Sequence, residues 1–206
     1  MKAIKIFAAL FMLFAVSASV DAQNLSKADQ KLLKKSVKEY KSQGWQVNPG
    51  QLPLETQVTK AFEARLERDS SGSEAWITGE GRSIGTIYDA ARTQALSFSR
   101  GEIANKLTTQ VSTTISEDLA NEQYGNDEAE SVAKTIMARE GRSVDQSIKR
   151  PITLMECFRK LPNGNTEVLI IQAISSENVE KLAKAALQRA RRDNLLKDVE
   201  KLKNQE

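Results

Sequence analysis

The residue types and spacings that could do chemistry fall in four places. Gly79-Glu80-Gly81-Arg82-Ser83-Ile84-Gly85 stands between a strand pattern and a helix pattern, where a glycine-rich loop would cradle phosphate. Its spacing, G-x-G-x-x-x-G, is one residue longer than the dinucleotide fingerprint, and it lacks the Lys-Ser/Thr of a phosphate loop. A long helix pattern separates it from the next strand pattern, so no βαβ unit surrounds it. The structural expectation is stronger: glycines that permit a bulge and a tight entry into the helix. Asp127-Glu128-Ala129-Glu130 opens a helix pattern, where acids complement the helix dipole. A calcium loop would instead alternate oxygen ligands along an irregular chain. Glu117, Asp118 and Glu122 read as a solvated helix face, with no carboxylate pair set for acid–base work. Arg189, Arg191, Arg192, Lys197, Lys201 and Lys203 are interleaved with Asp193, Asp198 and Glu200, which suits i,i+4 pairing on an exposed helix. A partner helix or an anionic surface is the alternative use of that face.

The composition removes most remaining chemistry. There are 0 histidines, so the commonest general base and transition-metal ligand is missing. Ser-His-Asp and Cys-His catalysis and His-containing zinc sites are excluded. Cys157 is the one cysteine, so no intramolecular disulfide exists and packing must hold the fold. It lies in an apolar strand pattern, Leu154-Met155-Glu156-Cys157-Phe158, and reads as a buried structural thiol, with intermolecular pairing as the alternative. No catalytic residue, cofactor-binding residue or metal ligand is expected. The net charge is +3 on a chain that is 28% charged, which is no nucleic-acid signature.

The elements that position these residues follow from periodicity. Ser26 or Asn24 caps a first helix running to Gln43, with Leu25, Leu32, Leu33, Val37 and Tyr40 apolar and Gly44 as its stop. A second helix is expected over Leu54–Arg68, ended by Asp69-Ser70-Ser71-Gly72-Ser73. Glu74 to Gly81 alternates as a strand. A long helix is expected from Ile84 to Glu122, with Ile87, Ala91, Ala95, Phe98, Ile103, Leu107, Val111, Ile115 and Leu119 as its stripe. Asn126 or Asp127 caps the next helix, which runs to Glu140. Arg142 to Lys160 reads as strand, interrupted by Pro151. Leu161-Pro162-Asn163-Gly164-Asn165 signals a hairpin with Asn-Gly in a type I′ turn. Thr166 to Ile174 returns as a buried strand, and Ser176 caps a last helix from Glu177 to Lys203 whose basic second half projects.

The expected fold is α+β: a small antiparallel sheet with a long helix packed on one face, flanked by N- and C-terminal helices. Residues 1–22 have the layout of a secretory signal peptide. Lys2 and Lys5 precede the apolar run Ile6–Val16, and Val20 and Ala22 fill the small-residue positions before cleavage after Ala22. The run is too short to span a membrane, and no cysteine stands at the cleavage point to take a lipid. Removing Lys2, Lys5 and Asp21 takes net +1 from the total of +3, which leaves +2. The expected organisation is residues 1–22 signal peptide, 23–72 N-terminal helical extension, 73–175 α+β domain and 176–206 C-terminal charged helix. The expected place is the periplasm or the cell envelope, not lipidated.

Ile77-Thr78-Gly79-Glu80-Gly81, then Ala90-Ala91-Arg92-Thr93-Gln94-Ala95, the stripe to Leu119, and strands around Ile152–Phe158 and Val168–Ala173 form a recognisable series. In this order the segment resembles the Lpp-twenty family of bacterial envelope proteins and the related N-terminal domain of flagellar assembly protein T. It is similar also to exported proteins of Bacteroidota-type bacteria in which Gly44-Trp45 and Pro49-Gly50 precede the same domain. The resemblance implies an α+β envelope module with no catalytic residues to transfer. Known members are mostly lipoproteins, from which this chain departs in lacking the lipidated cysteine.

Two functions are expected from these readings. The first is a non-enzymatic exported envelope protein, an interaction or structural module that docks onto an envelope protein or itself through a sheet edge or terminal helices. Membrane contact would be peripheral at most, and nucleic acid is not an expected partner. The alternative is a periplasmic small-ligand-binding module. Its site would lie between the small-residue face of the long helix and the sheet, lined by Ile77, Ala91, Ala95 and Ile170.

Overall fold

The computed structural model describes residues 25–122, 124–148 and 150–193. The signal-peptide segment and the last helix beyond Asp193 lie outside the described residues. The fold is α+β: a three-stranded antiparallel sheet of order β1-β3-β2, with helices against it. β1 is Trp76–Gly85, β2 is Ile152–Lys160 and β3 is Thr166–Ser175. β3 lies between the others and is buried from Thr166 to Ala173, so its apolar run Val168-Leu169-Ile170-Ile171 serves both faces. Leu169 and Ile171 join Met155 and Cys157 on one face, while Val168 and Ile170 meet the long helix on the other.

The first face is covered by α1 (Lys27–Ser42) and α2 (Leu54–Leu66). Ser26 caps α1, its hydroxyl accepting from the Asp29 N–H at 3.1 Å. Leu33, Val37 and Tyr40 of α1 and the buried Leu54, Val58 and Ala61 of α2 pack with Trp45 on the strands. A leucine or valine side chain among them contributes about 1.5–3 kcal/mol when fully buried.

The second face carries α3 (Tyr88–Glu122), whose buried residues are Ala91, Ala95, Ser99, Ile103, Leu107, Val111, Ile115 and Leu119. Every step in that series is four residues. At 3.6 residues per turn, each step advances the buried line by about 40°, so along α3 it winds about 280° around the helix. Ala91 and Ala95 therefore face the sheet, whereas Val111, Ile115 and Leu119 face α4 (Asn126–Ser147) and α5 (Glu177–Arg192). One helix thus serves first as a sheet cover and then as the centre of a helical layer.

Several expectations need correction. β1 runs to Gly85, pairing with β3 as far as Thr166, so Ile84 is strand and α3 begins at Tyr88. Ile87 precedes the helix and is exposed, and Phe98 is exposed because the buried line passes through Ser99 instead. Residues Arg142 to Ser147 are helix, not strand: Val144 is buried four residues after Glu140 and continues the inward line of α4. Gly125 accepts the first bond of α4 from the Ala129 N–H at 2.9 Å, so Asn126 and Asp127 sit inside the first turn and not at the cap. Ser176 makes no side-chain cap. Ser175 takes that place, its hydroxyl accepting from the Glu177 N–H at 3.3 Å. The hairpin closes through Gly164 N–H to the Leu161 carbonyl at 2.9 Å, which makes Pro162 and Asn163 the central pair. Proline cannot take the positive φ of a type I′ turn, so the left-handed residue is Gly164, at φ +82°.

Candidate functional site

The glycine element is a seat for α3. A Cβ on Gly81 would stand 1.9 Å from the Ala95 carbonyl oxygen, and one on Gly79 would stand 2.2 Å from that of Ser99. The Ser99 hydroxyl donates to the Gly79 carbonyl at 3.0 Å and locks the contact. The register of β1 on β3 is unbroken through these glycines, so there is no bulge. The gap expected to hold a ligand is filled: Ile77, Ala91, Ala95 and Ile170 are each 0–1% exposed.

At the hairpin end of the sheet, charged groups are tied together. Glu156, buried on β2, accepts from Arg92 Nε at 2.7 Å and Nη2 at 3.0 Å, from the Tyr88 hydroxyl at 2.5 Å and from Gln51 at 3.4 Å. Burial pushes the Glu156 carboxyl up, but the Arg92 and Tyr88 hydrogen bonds outweigh it and hold the group below the usual carboxylate range. Burial and the bond to Glu156 push the Tyr88 hydroxyl up to about 12. On the other face, Trp45 lies under Arg159 at 4.8 Å and Arg82 at 5.6 Å, and both guanidinium groups pair with the buried Glu167. Cys157 is buried beside this cluster, and burial pushes its thiol up to about 12, so it holds no thiolate. The sequence reading passed over Glu156. Its signal was one carboxylate inside an otherwise apolar strand pattern.

The flagged charged helices are braced in the same way. Arg189 meets Glu140 of α4 at 2.7 Å, Arg191 pairs with Glu122 of α3, and Asp193 meets Arg139 at 2.9 Å. The described part of the basic helix is therefore bound across to its neighbours instead of projecting. Glu130 pairs with Lys134 at 2.6 Å. Among the described residues, no three His, Cys, Asp or Glu side chains are grouped to hold a metal ion.

Both sheet edges are partly closed. Gln46 exchanges two backbone bonds with Phe158, at 2.9 and 2.8 Å, and Gln57 Oε1 takes the Glu156 N–H at 2.7 Å, which covers β2. On β1, Lys106 donates to the Thr78 carbonyl at 2.8 Å and Glu102 accepts the Glu80 N–H at 2.6 Å.

At the opposite end of the sheet a hollow of about 390 Å³ remains open. It forms where β1 and β2 begin and β3 ends, under the first turns of α5 and beside the link from α4 to β2. Leu107, Ile152, Ala173, Ile174 and Leu182 line it, with Trp76 as one wall. Arg150, Lys181 and Asn178 give it a polar rim. A second hollow, lined by Arg100, Ile148, Arg150 and Pro151, adjoins it through the two residues they share. Among the described residues, none of these three cations makes an ion pair. A volume in this range, a mostly apolar lining and a few placed polar groups are the features of small-molecule sites.

The fold and this hollow define a class: an α+β module with a closed hydrophobic interior and a cation-rimmed apolar recess at one end of its sheet. Comparison of the chain with family models, curated proteins and solved structures finds no match.

Proposed function

We propose that this is an exported, non-enzymatic protein of the cell envelope that works as a binding module, through the cation-rimmed hollow at the open end of its sheet. The observation that carries this reading is the contrast in charge partners. Arg82, Arg92, Arg159, Arg189 and Arg191 are each paired, while Arg100, Arg150 and Lys181 have no ion-pair partner among the described residues and border two adjoining hollows. Unpaired cations converging on an apolar surface suit recognition, since they add nothing to the fold where they stand. The signal-peptide layout of residues 1–22 supports export, and the lack of histidine supports a role without catalysis. No described helix is long and apolar enough to cross a membrane.

Docking onto an envelope partner or a second copy of the chain is the second reading. It draws on Ile84, Ile87 and Phe98, large apolar side chains exposed near the end of β1 and the start of α3.

A photo-crosslinking residue placed at Asn178, on the rim, and at Lys35, exposed on α1, separates the readings in cells. The binding-module reading expects a defined adduct in the envelope fraction from position 178 and none from position 35. The same adducts from both positions, or none from 178, would contradict it.

A further inference from the structure

From the lining of the two adjoining hollows we infer that the ligand is a single-chain amphiphile with an anionic head, a fatty-acid-like molecule whose chain lies on Leu107, Ile174 and Leu182 and whose head meets Arg150 and Lys181. This rests on the hollow being the binding site proposed above. Among the described residues, the lining of both hollows contains three cations and no Asp or Glu. Glu177, one turn before Lys181 on α5, flanks the hollow, and two further carboxylates nearby are engaged elsewhere. Glu180 of α5 pairs with Lys184, and Glu67 accepts the Trp76 indole N–H at 2.8 Å. The lining itself therefore presents positive and no negative charge to a ligand.

The floor is of the opposite character. Leu107 and Ala173 are buried, Ile174 and Leu182 are partly so, and Ile152 is half exposed at the entrance. A small polar anion would leave this apolar surface wet, and a neutral hydrocarbon would leave the cations unused. A molecule with both parts satisfies both, with the chain removing apolar area from water and the head forming charge-assisted hydrogen bonds to Arg150 and Lys181. Arg100 lies in the adjoining hollow, where a larger head group would reach it.

Calorimetric titration of the full chain, purified from expressing cells, with decanoate, decanol and decyltrimethylammonium tests the assignment. Decanoate is expected to bind about tenfold or more tightly than decanol, a difference of about 1.4 kcal/mol, and the cationic amphiphile is expected not to bind. Added salt should weaken decanoate and leave decanol unchanged. The double variant Arg150→Gln/Lys181→Gln should lose the preference while keeping decanol binding. Equal binding of decanoate and decanol overturns the anionic assignment and leaves the hollow as the site. Binding of none of the three, together with no adduct from position 178, overturns the hollow as well. Capture of a protein at position 178 with no amphiphile binding overturns the amphiphile in favour of a peptide.

Discussion

The two ends of the sheet handle charge in opposite ways. At the hairpin end, Arg92 and Tyr88 close on Glu156, and Arg82 and Arg159 close on Glu167 with Trp45 beneath them. Each of these two buried carboxylates has at least one cation, so the charges hold the fold. At the other end, Arg150 and Lys181 border an apolar hollow whose described lining holds no carboxylate. Packing alone does not require cations in that position. A buried ion removed from its partner is costly, whereas an exposed one removed from nothing is close to neutral, so the two ends should respond differently to the same kind of substitution.

The largest effect is expected where both ends share a support. Gly81→Ala would drive a Cβ into the Ala95 carbonyl and lift α3 from β1, moving Tyr88 and Arg92 at one end and Leu107 at the other. A loss of about 3 kcal/mol or more is expected by chemical denaturation, above ordinary overpacking because the obstacle is backbone. Next in size is Arg92→Ala, which leaves the Glu156 carboxylate buried with only neutral donors. A loss of about 2 kcal/mol is expected, since the bonds removed are charge-assisted but Arg92 is itself partly exposed.

The hairpin end also predicts a pH dependence. The folded Glu156 carboxyl sits below its usual value of 4.5, so its contribution is present in full above that value. It is lost as the pH falls through the lower folded value. Glu156→Gln should therefore be less stable than the parent above pH 4.5, with the gap narrowing as acid is added below it. A gap that stays constant across this range would show that Glu156 is not held ionised. The smallest effect belongs to the open end, where Arg150→Ala and Lys181→Ala should each change stability by less than about 0.5 kcal/mol. A larger loss from either would mean that this end also uses its charges to hold the fold.

Much of the layout was legible in the sequence because local patterns agree with it. Ser26 marks the start of α1, the Pro162-Asn163-Gly164 stretch marks the place of the hairpin though not its turn type, and the double-faced apolar run of β3 marks the centre of the sheet. The stripe expected on α3 matches its winding buried line except at two apolar residues. Ile87 precedes the helix and Phe98 lies off that line, and the small residue Ser99 makes the contact with β1 instead. The end of α4 was misread because Arg142 to Ser147 is polar except for Val144, whose burial depends on α3 and α5. The hollow itself has no local signature. Trp76, Arg150, Ala173 and Lys181 come from three separate stretches, and only the strand order brings them together. In the sequence, Arg150 was no more than the residue before a strand-breaking proline.

The most direct measurement compares thermal unfolding of the parent chain and the Arg150→Ala/Lys181→Ala variant, each with and without decanoate. Charges that serve the ligand and not the fold predict the same Tm for both chains without decanoate. They also predict an upward shift with it in the parent alone, about 2.7 kcal/mol of stabilisation at one hundred times the Kd. A lower Tm for the variant without ligand, or the same shift in both chains, would contradict the division of labour between the two ends of the sheet.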